Sequence, residues 1–207
     1  AVTTTHGGLH FANSGNITVS AAITRPANTA VQLVTAGDIT LSGGGINTAG
    51  GNLLLDCGTS PKAIYPTFNG TDADLGTSTL SFASDLAFAI NGTTPGDGTG
   101  TTYSQLKVVG SVNLTGVNLV ISGSHIPIVG QTFVLVDNDG LDDVLGTFFG
   151  LPQNGIISNF LGSGLNASIS YTGNDGNDVV LTVCPPLTIT CPAGSPFARN
   201  TDAKQYN

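Results

Sequence analysis

The chain has 207 residues, of which only 9% are charged, and it contains no Glu, Met or Trp. Ordinary soluble domains carry about a quarter charged residues and coat their helices with Glu, Lys and Arg, so this composition argues against helices. Its 29 Gly residues, with many Thr, Ser, Asn, Val, Ile and Leu, predict an all-β fold of short strands joined by tight turns. The net charge of -8 argues against binding to nucleic acid or to an anionic membrane, and no apolar run reaches the roughly 18 residues of a membrane-spanning helix.

Three short stretches in the first part of the chain resemble one another. They are GNITVS at 15–20, GDITLS at 37–42 and GNLLLD at 51–56, each a turn-forming pair followed by a short, apolar-alternating strand. Self-similarity at a spacing of about 14 to 22 residues is typical of a solenoid, whose coils bury their apolar side only by stacking on one another. We therefore predict a short right-handed β-helix over residues 1–75.

Residues 76–183 have a different pattern, with roughly eight strand-like segments separated by turn signals. This pattern predicts a β-sandwich-like module, or a flattened solenoid, that caps the coils. Most of its aromatic residues are expected in the core, namely Phe82, Phe88, Phe133, Phe148, Phe149 and Tyr171.

The last segment, residues 184–207, contains four Pro residues and one strand-like stretch, LTIT, but no core of its own. An extended segment of this kind can complete the sheet of a neighbouring chain by β-strand addition. We predict an extended tail strand that docks on the next copy and joins subunits head to tail into a filament. The assembly residues would be Leu187, Thr188, Ile189 and Thr190.

The three cysteines, Cys57, Cys184 and Cys191, leave at least one without a partner in its own chain. If Cys184 and Cys191 flank an extended strand, they lie about 20 Å apart, which is too far for a disulfide. Pairing of either with Cys57, or with another molecule, is then favoured, and disulfide formation would fit an oxidising, extracellular setting.

Two acidic turn motifs are candidate calcium sites. The segment DNDGLDD holds four carboxylates in seven residues, Asp137, Asp139, Asp142 and Asp143, which are hard oxygen ligands, although the spacing departs from that of an EF-hand. The segment GNDGNDVVL at 173–181 fits most of a calcium-binding nonapeptide, but it occurs once and has Asn174 in place of the second Gly. For both segments, a loop or turn between strands is the competing interpretation.

The sequence predicts no enzymatic activity and no cofactor apart from the candidate calcium. The chain has no G-x-S-x-G elbow, no GK[ST] phosphate loop and no HExxH metal motif. Solenoids that cleave polysaccharides use paired carboxylates or a basic residue beside an acidic metal cluster, and here only Arg25 and Lys62 lie in or just after the β-helical part.

Segments such as GDITLSGGGINTAGGNLLLD resemble the β-helical passenger regions of bacterial autotransporters and filamentous-haemagglutinin-type secreted proteins. The stretches from LSFASDLAFAING to NDVVLT are similar to a module that ends such helices in large surface proteins. PLTITCPA followed by NTDAKQ resembles the opening of a hyalin-repeat (HYR) immunoglobulin-like module, although Tyr206 stands where a second cysteine is expected. These resemblances imply a secreted, cell-surface protein.

The predicted function is a structural subunit of an extracellular bacterial filament or surface layer, whose partners are other copies of the same chain. The alternative is an adhesin or carbohydrate-binding stalk segment, with glycans as partners and the tail serving only as a linker to a further domain.

Overall fold

The computed structural model describes residues 8–43, 45–58, 61–66, 73–139 and 141–186. Within them the regular structure is almost entirely β-strand, as the composition predicts, and the helical element described is the 3-10 turn Phe160–Gly162. In this part of the chain no helix is long and apolar enough to cross a membrane. The strands, in chain order, are β1 Leu9–Asn13, β2 Ile17–Val19, β3 Ile23–Thr24, β4 Val31–Thr35, β5 Ile39–Leu41, β6 Ile46–Asn47, β7 Leu53–Asp56, β8 Ala63–Pro66, β9 Ala73–Phe82, β10 Asp85–Ala89, β11 Thr94–Gly96, β12 Thr102–Ser104, β13 Leu106–Asn113, β14 Leu119–Ser122, β15 Thr132–Asn138, β16 Val144–Leu145, β17 Ile156–Ile157, β18 Asn166–Gly173 and β19 Asp178–Cys184.

Ten strands form one long sheet in the order β1-β4-β7-β9-β13-β15-β19-β18-β17, with β16 beside β13. The pairs from β1 to β15 are all parallel. The three pairs that follow, which join β15, β19, β18 and β17, are antiparallel. The sheet therefore changes its construction at β15. The predicted division between residues 75 and 76 falls within β9 and stays a prediction.

A short sheet of five parallel strands, β14-β10-β8-β5-β2, accompanies the parallel part of the long sheet. From β1 onward the chain adds one strand to the long sheet, then one to the short sheet, and returns to the long sheet beside its earlier strand. We call each such passage a circuit. In the first two circuits a third strand, β3 or β6, closes the path, and these two strands also pair in parallel.

The first circuits follow a constant step in the sequence. Leu9 lies beside Val31 and Val31 beside Leu53, and the same 22-residue step brings Asp38 to Asn16. GNITVS and GDITLS therefore lie in register on β2 and β5. GNLLLD is not a third copy at that place, because its strand β7 pairs with β4 and β9 in the long sheet.

The turn-forming pairs of these repeats build a ladder of side-chain hydrogen bonds at the corner that leads into the short sheet. The Asp38 N–H donates to Asn16 Oδ1 at 3.0 Å, and the Ala63 N–H donates to Asp38 Oδ1 at 3.1 Å. The Gly before Asp38 is required by this close approach, since a Cβ on Gly37 would lie 2.6 Å from the Asn16 nitrogen. The Gly-Asn and Gly-Asp pairs thus satisfy backbone groups between circuits.

Inward-facing residues of successive circuits stack into columns that form the core. In the short sheet the column is Ile17, Ile39, Ile64 and Leu86, all at most 7% exposed. In the long sheet it is Val31, Leu53, Leu80 and Val112, all at most 1% exposed. Burial of each such side chain contributes about 1.5–3 kcal/mol. The strands are short, so their stability depends on contacts between circuits.

Aromatic residues fill the core of the C-terminal part. The Phe133 ring lies 5.4 Å from that of Tyr103, edge to face, and 5.9 Å from that of Phe160. The expectation that most of the named aromatic residues are buried is confirmed for Phe82, Phe88, Phe133, Phe148 and Tyr171. Phe149 is the exception, with 72% of its side chain exposed.

The hydroxyl of Tyr171 fixes the loop that contains Phe148. It accepts a hydrogen bond from the Phe148 N–H at 3.0 Å and donates one to the Leu151 carbonyl at 2.7 Å. Burial raises the pKa of Tyr171, so the hydroxyl stays protonated and keeps its proton for Leu151. One side chain of β18 thus satisfies two backbone groups of this loop.

Tyr171→Phe is expected to lower the free energy of unfolding by about 1–3 kcal/mol, because both backbone groups lose their partner. The measurement is urea unfolding followed by circular dichroism. Tyr65→Phe is the matched control, since Tyr65 is 37% exposed, and it should change stability by less than about 0.5 kcal/mol. Equal effects of the two substitutions would contradict this role for Tyr171.

Candidate functional site

The strands of the first circuit, β1, β2 and β3, lie at one end of the structure, and each is paired along one edge. β1, β2 and β3 bond to β4, β5 and β6, and the described residues place no strand on their other side. We call the surface formed by β1, β2 and β3 the open end. These strands contain no Asp, Lys, Arg or Pro, the residues that commonly keep an exposed edge from pairing with another chain.

The backbone of β2 shows which groups the open end offers to a partner. The Ile17 N–H donates to the Asp38 carbonyl at 2.9 Å, and the Val19 carbonyl accepts from the Ser42 N–H at 2.9 Å. Because neighbouring residues of a strand direct their N–H and C=O to opposite edges, the backbone groups of Thr18 point away from β5. Thr18 therefore presents a donor and an acceptor to an incoming strand.

The open end also holds a groove of about 560 Å³ with both apolar and polar lining residues. The buried side chains of Leu9, Ile17 and Val19 line it, together with Phe11, which is 40% exposed. Arg25 supplies the positive charge among the lining residues and is itself 6% exposed. No predicted site residue lies in these strands, although their lack of charged residues is a signal in the sequence that points to them.

The opposite end is built differently because the two sheets stop at different levels. Among the described residues, the short sheet ends at β14, whose one partner strand is β10. β13 is the strand of the long sheet in the circuit that contains β14. The long sheet continues beyond β13 through β15, β19, β18 and β17. Most of the exposed large apolar side chains lie in this region, namely Val120, Ile126, Ile128, Val129, Leu141, Leu145, Phe149 and Ile156.

The predicted assembly residues Leu187, Thr188, Ile189 and Thr190 lie outside the described residues. The described chain leads towards them through β19 and ends at Pro186. Near the end of β19 the Val183 N–H donates to the Gln131 carbonyl at 2.8 Å, and the Val183 carbonyl accepts from the Gly130 N–H at 2.9 Å. The segment before the tail is thus anchored in the C-terminal part, and docking of the tail stays a prediction.

Cys57 and Cys184 are both free thiols in the structure. Cys57 directly follows β7 and Cys184 ends β19, four strands further along the long sheet, so about 19 Å separates the two strands at the usual spacing of about 4.8 Å. That distance is well beyond disulfide reach. Cys191 lies outside the described residues, so a pairing that includes it stays a prediction.

The four carboxylates of the predicted calcium loop lie at the end of β15 and in the loop that follows it. No group of three or more His, Cys, Asp or Glu side chains that could hold a metal ion is found in the described part of the chain. Asp139 and Asp143 are exposed, and their backbone groups bond to β13, with the Asp139 N–H donating to the Val108 carbonyl at 3.0 Å. A calcium site made of these four side chains stays a prediction.

Comparisons with protein-family models, with curated proteins and with solved structures found no match to this chain.

We expect the Cys57 thiol to react at least about tenfold more slowly than that of Cys184 with iodoacetamide in the native state. Cys57 is 1% exposed, and burial raises its pKa, so little reactive thiolate forms near neutral pH. Mass spectrometry of the peptides after timed labelling measures the two rates. Labelling in urea is the control, in which the two rates should converge, and equal rates in the native protein would contradict the burial of Cys57.

Proposed function

We propose that this chain is a structural subunit of an extracellular bacterial filament or surface layer, in which copies join head to tail by β-strand addition. The observation that carries the proposal is the open end, where no described strand pairs with the outer edges of β1, β2 and β3, these strands contain no Asp, Lys or Arg, and a groove exposes several apolar side chains. Each of these properties favours pairing with another chain. The donor would be the tail, at Leu187–Thr190 of the next copy.

A solenoid capped by a sandwich-like module is the architecture that we infer for this subunit. The constant step in the first circuits and the parallel register of both sheets support a solenoid in residues 8–66. The antiparallel strands β17, β18 and β19 support a separate cap. In a solenoid each circuit buries the next, so the first one leaves its outer side uncovered.

The offset between the two sheets favours addition of a single strand over stacking of whole subunits. At the end that carries β14, the long sheet projects beyond the short one by β15, β19, β18 and β17. A neighbour could not lay its own β1 and β2 across both sheets at one level. A single added strand has no such restriction, since it needs one free edge only.

The sequence of the tail matches the strand that it would join. LTIT alternates apolar and hydroxyl side chains in the same way as ITV in β2 and ITL in β5, which pair in parallel and in register. In that register Leu187 would lie beside Ile17, facing the groove, and Thr188 beside Thr18. The side-chain period of two makes this alternation a condition for a good fit.

Removal of residues 187–207 is expected to leave a folded monomer that forms no filaments, because the donor strand is lost while β19 is retained. Negative-stain electron microscopy and analytical ultracentrifugation measure assembly, and circular dichroism checks the fold. Filaments formed by the truncated chain would rule out the tail as the donor. Dispersed full-length particles that bind glycans would favour the alternative function, an adhesin or carbohydrate-binding stalk.

Thr18→Pro is expected to raise the concentration required for assembly at least about tenfold, because it deletes the N–H that points to the free edge and places a ring there. Thr18→Val is the matched control, since it keeps the N–H and suits a strand. Light scattering at a series of protein concentrations gives the threshold for each variant. Identical thresholds for the two variants, both folded, would show that the edge of β2 is not the acceptor.

A further inference from the structure

Two acidic turn motifs that lie far apart in the sequence meet in the C-terminal part. The Asn138 N–H, at the end of β15, donates to Asp178 Oδ1 at 2.8 Å. The Asn177 side-chain amide donates to the Asp142 carbonyl at 3.1 Å, and Asn138 Nδ2 donates to the same carbonyl at 2.6 Å. The loop after β15 and the turn before β19 thus share one polar cluster, which we call the Asn138–Asp178 cluster.

The cluster contains a buried carboxylate whose hydrogen-bond donors are neutral. Asp178 is 2% exposed, and its two oxygens accept from the Asn138 N–H and from Asn174 Nδ2, the latter at 2.6 Å. A carboxylate removed from water is costly unless it is paired with a positive charge or coordinates a metal. Neutral donors satisfy part of its hydrogen-bonding capacity, and no positively charged partner for it is found in the described part of the chain.

A second observation points to a missing ligand at the same place. Asn138 is completely buried, and its Oδ1 has no hydrogen-bond partner. The other atom of this amide group, Nδ2, donates a hydrogen bond to the Asp142 carbonyl. Exchanging the positions of Oδ1 and Nδ2 would therefore bring Oδ1 against the carbonyl oxygen of Asp142, where neither atom can donate. A buried amide oxygen without a partner is uncommon in proteins and calls for a bound water or ion as its explanation.

We propose that the Asn138–Asp178 cluster binds a calcium ion, with the Asp178 carboxylate and Asn138 Oδ1 as ligands. Calcium accepts carboxylate, amide and carbonyl oxygens together with water, and it tolerates irregular geometry. The cluster offers these hard oxygen atoms and no thiol or imidazole, which would favour zinc or copper. The Asp142 carbonyl positions the loop by accepting hydrogen bonds from the side-chain amides of Asn138 and Asn177. Asp139 and Asp143, which are exposed, add negative charge nearby.

This assignment differs from a site formed by the four loop carboxylates and does not depend on filament assembly. Asp178 belongs to the GNDGNDVVL motif and Asn138 to the DNDGLDD motif, so each motif contributes one ligand to a shared site. The ion would join the loop after β15 to the β18–β19 hairpin and so brace the C-terminal part of the long sheet. Extracellular modules that act in this way bind calcium with Kd values of about 10⁻⁴–10⁻³ M.

The first test uses the unmodified full chain, freed of metal with a chelator and kept below its assembly concentration. Isothermal titration with calcium chloride should show one site in the stated Kd range, and 10 mM calcium should raise Tm by several degrees. Magnesium at the same concentration should raise Tm less, because it demands a tighter octahedral set. Absence of both heat and Tm change with calcium would overturn the proposal.

The second test locates the ion. Asp178→Asn should abolish the calcium-dependent Tm shift, whereas Asp175→Asn, the same change at an exposed residue of the same turn, should leave it unchanged. Hydrogen exchange of the unmodified chain provides a readout that does not depend on how the variants fold. Calcium should slow exchange in peptides covering 134–145 and 172–182, and slowing confined to other segments would refute this location.

Discussion

The parallel backbone ladder between successive circuits is the interaction on which the rest of this structure depends. Strands of two to five residues in the first circuits have too little surface to be stable alone, and their columns of Ile, Leu and Val are buried only because the next circuit lies beside them. The same dependence creates the open end. β1, β2 and β3 pair with the next circuit on one side, and no described strand pairs with them on the other.

The change from parallel to antiparallel pairing at β15 gives the chain its two different ends. Parallel circuits can be extended indefinitely, but β19 and β18 return as a hairpin and pair locally, so they need no further circuit. The aromatic cluster around Phe133 and the hydroxyl of Tyr171 then fix the loops over this part. A chain whose two ends differ in this way would suit the head-to-tail contacts proposed above.

Turn chemistry supplies most of the polar structure in a chain with so few charges. Asn16 and Asp38 use their side chains to satisfy backbone N–H groups of the next circuit, and Asp97 does the same locally for Thr99 at 3.0 Å. The hydrogen bonds from Thr99 and Thr102 hold the pKa of Asp97 below its ordinary value. Asp178 differs from these residues because it is buried. The calcium ion proposed above would compensate its negative charge.

The sequence by itself determined what depends on local chemistry. The absence of Glu and the abundance of Gly, Thr and Val predicted strands, and the Gly-Asn and Gly-Asp pairs marked the corners at Asn16 and Asp38, because side-chain period and turn preference act over a few residues. Only the tertiary structure decided which strands became neighbours. The tertiary structure placed GNLLLD in the long sheet and left Cys57 four strands away from β19. It buried Phe148 and exposed Phe149. It also brought Asn138 into contact with Asp178, 40 residues further along the chain. Such contacts depend on how many residues each circuit contains and on where the sheet turns antiparallel, and no local pattern encodes either.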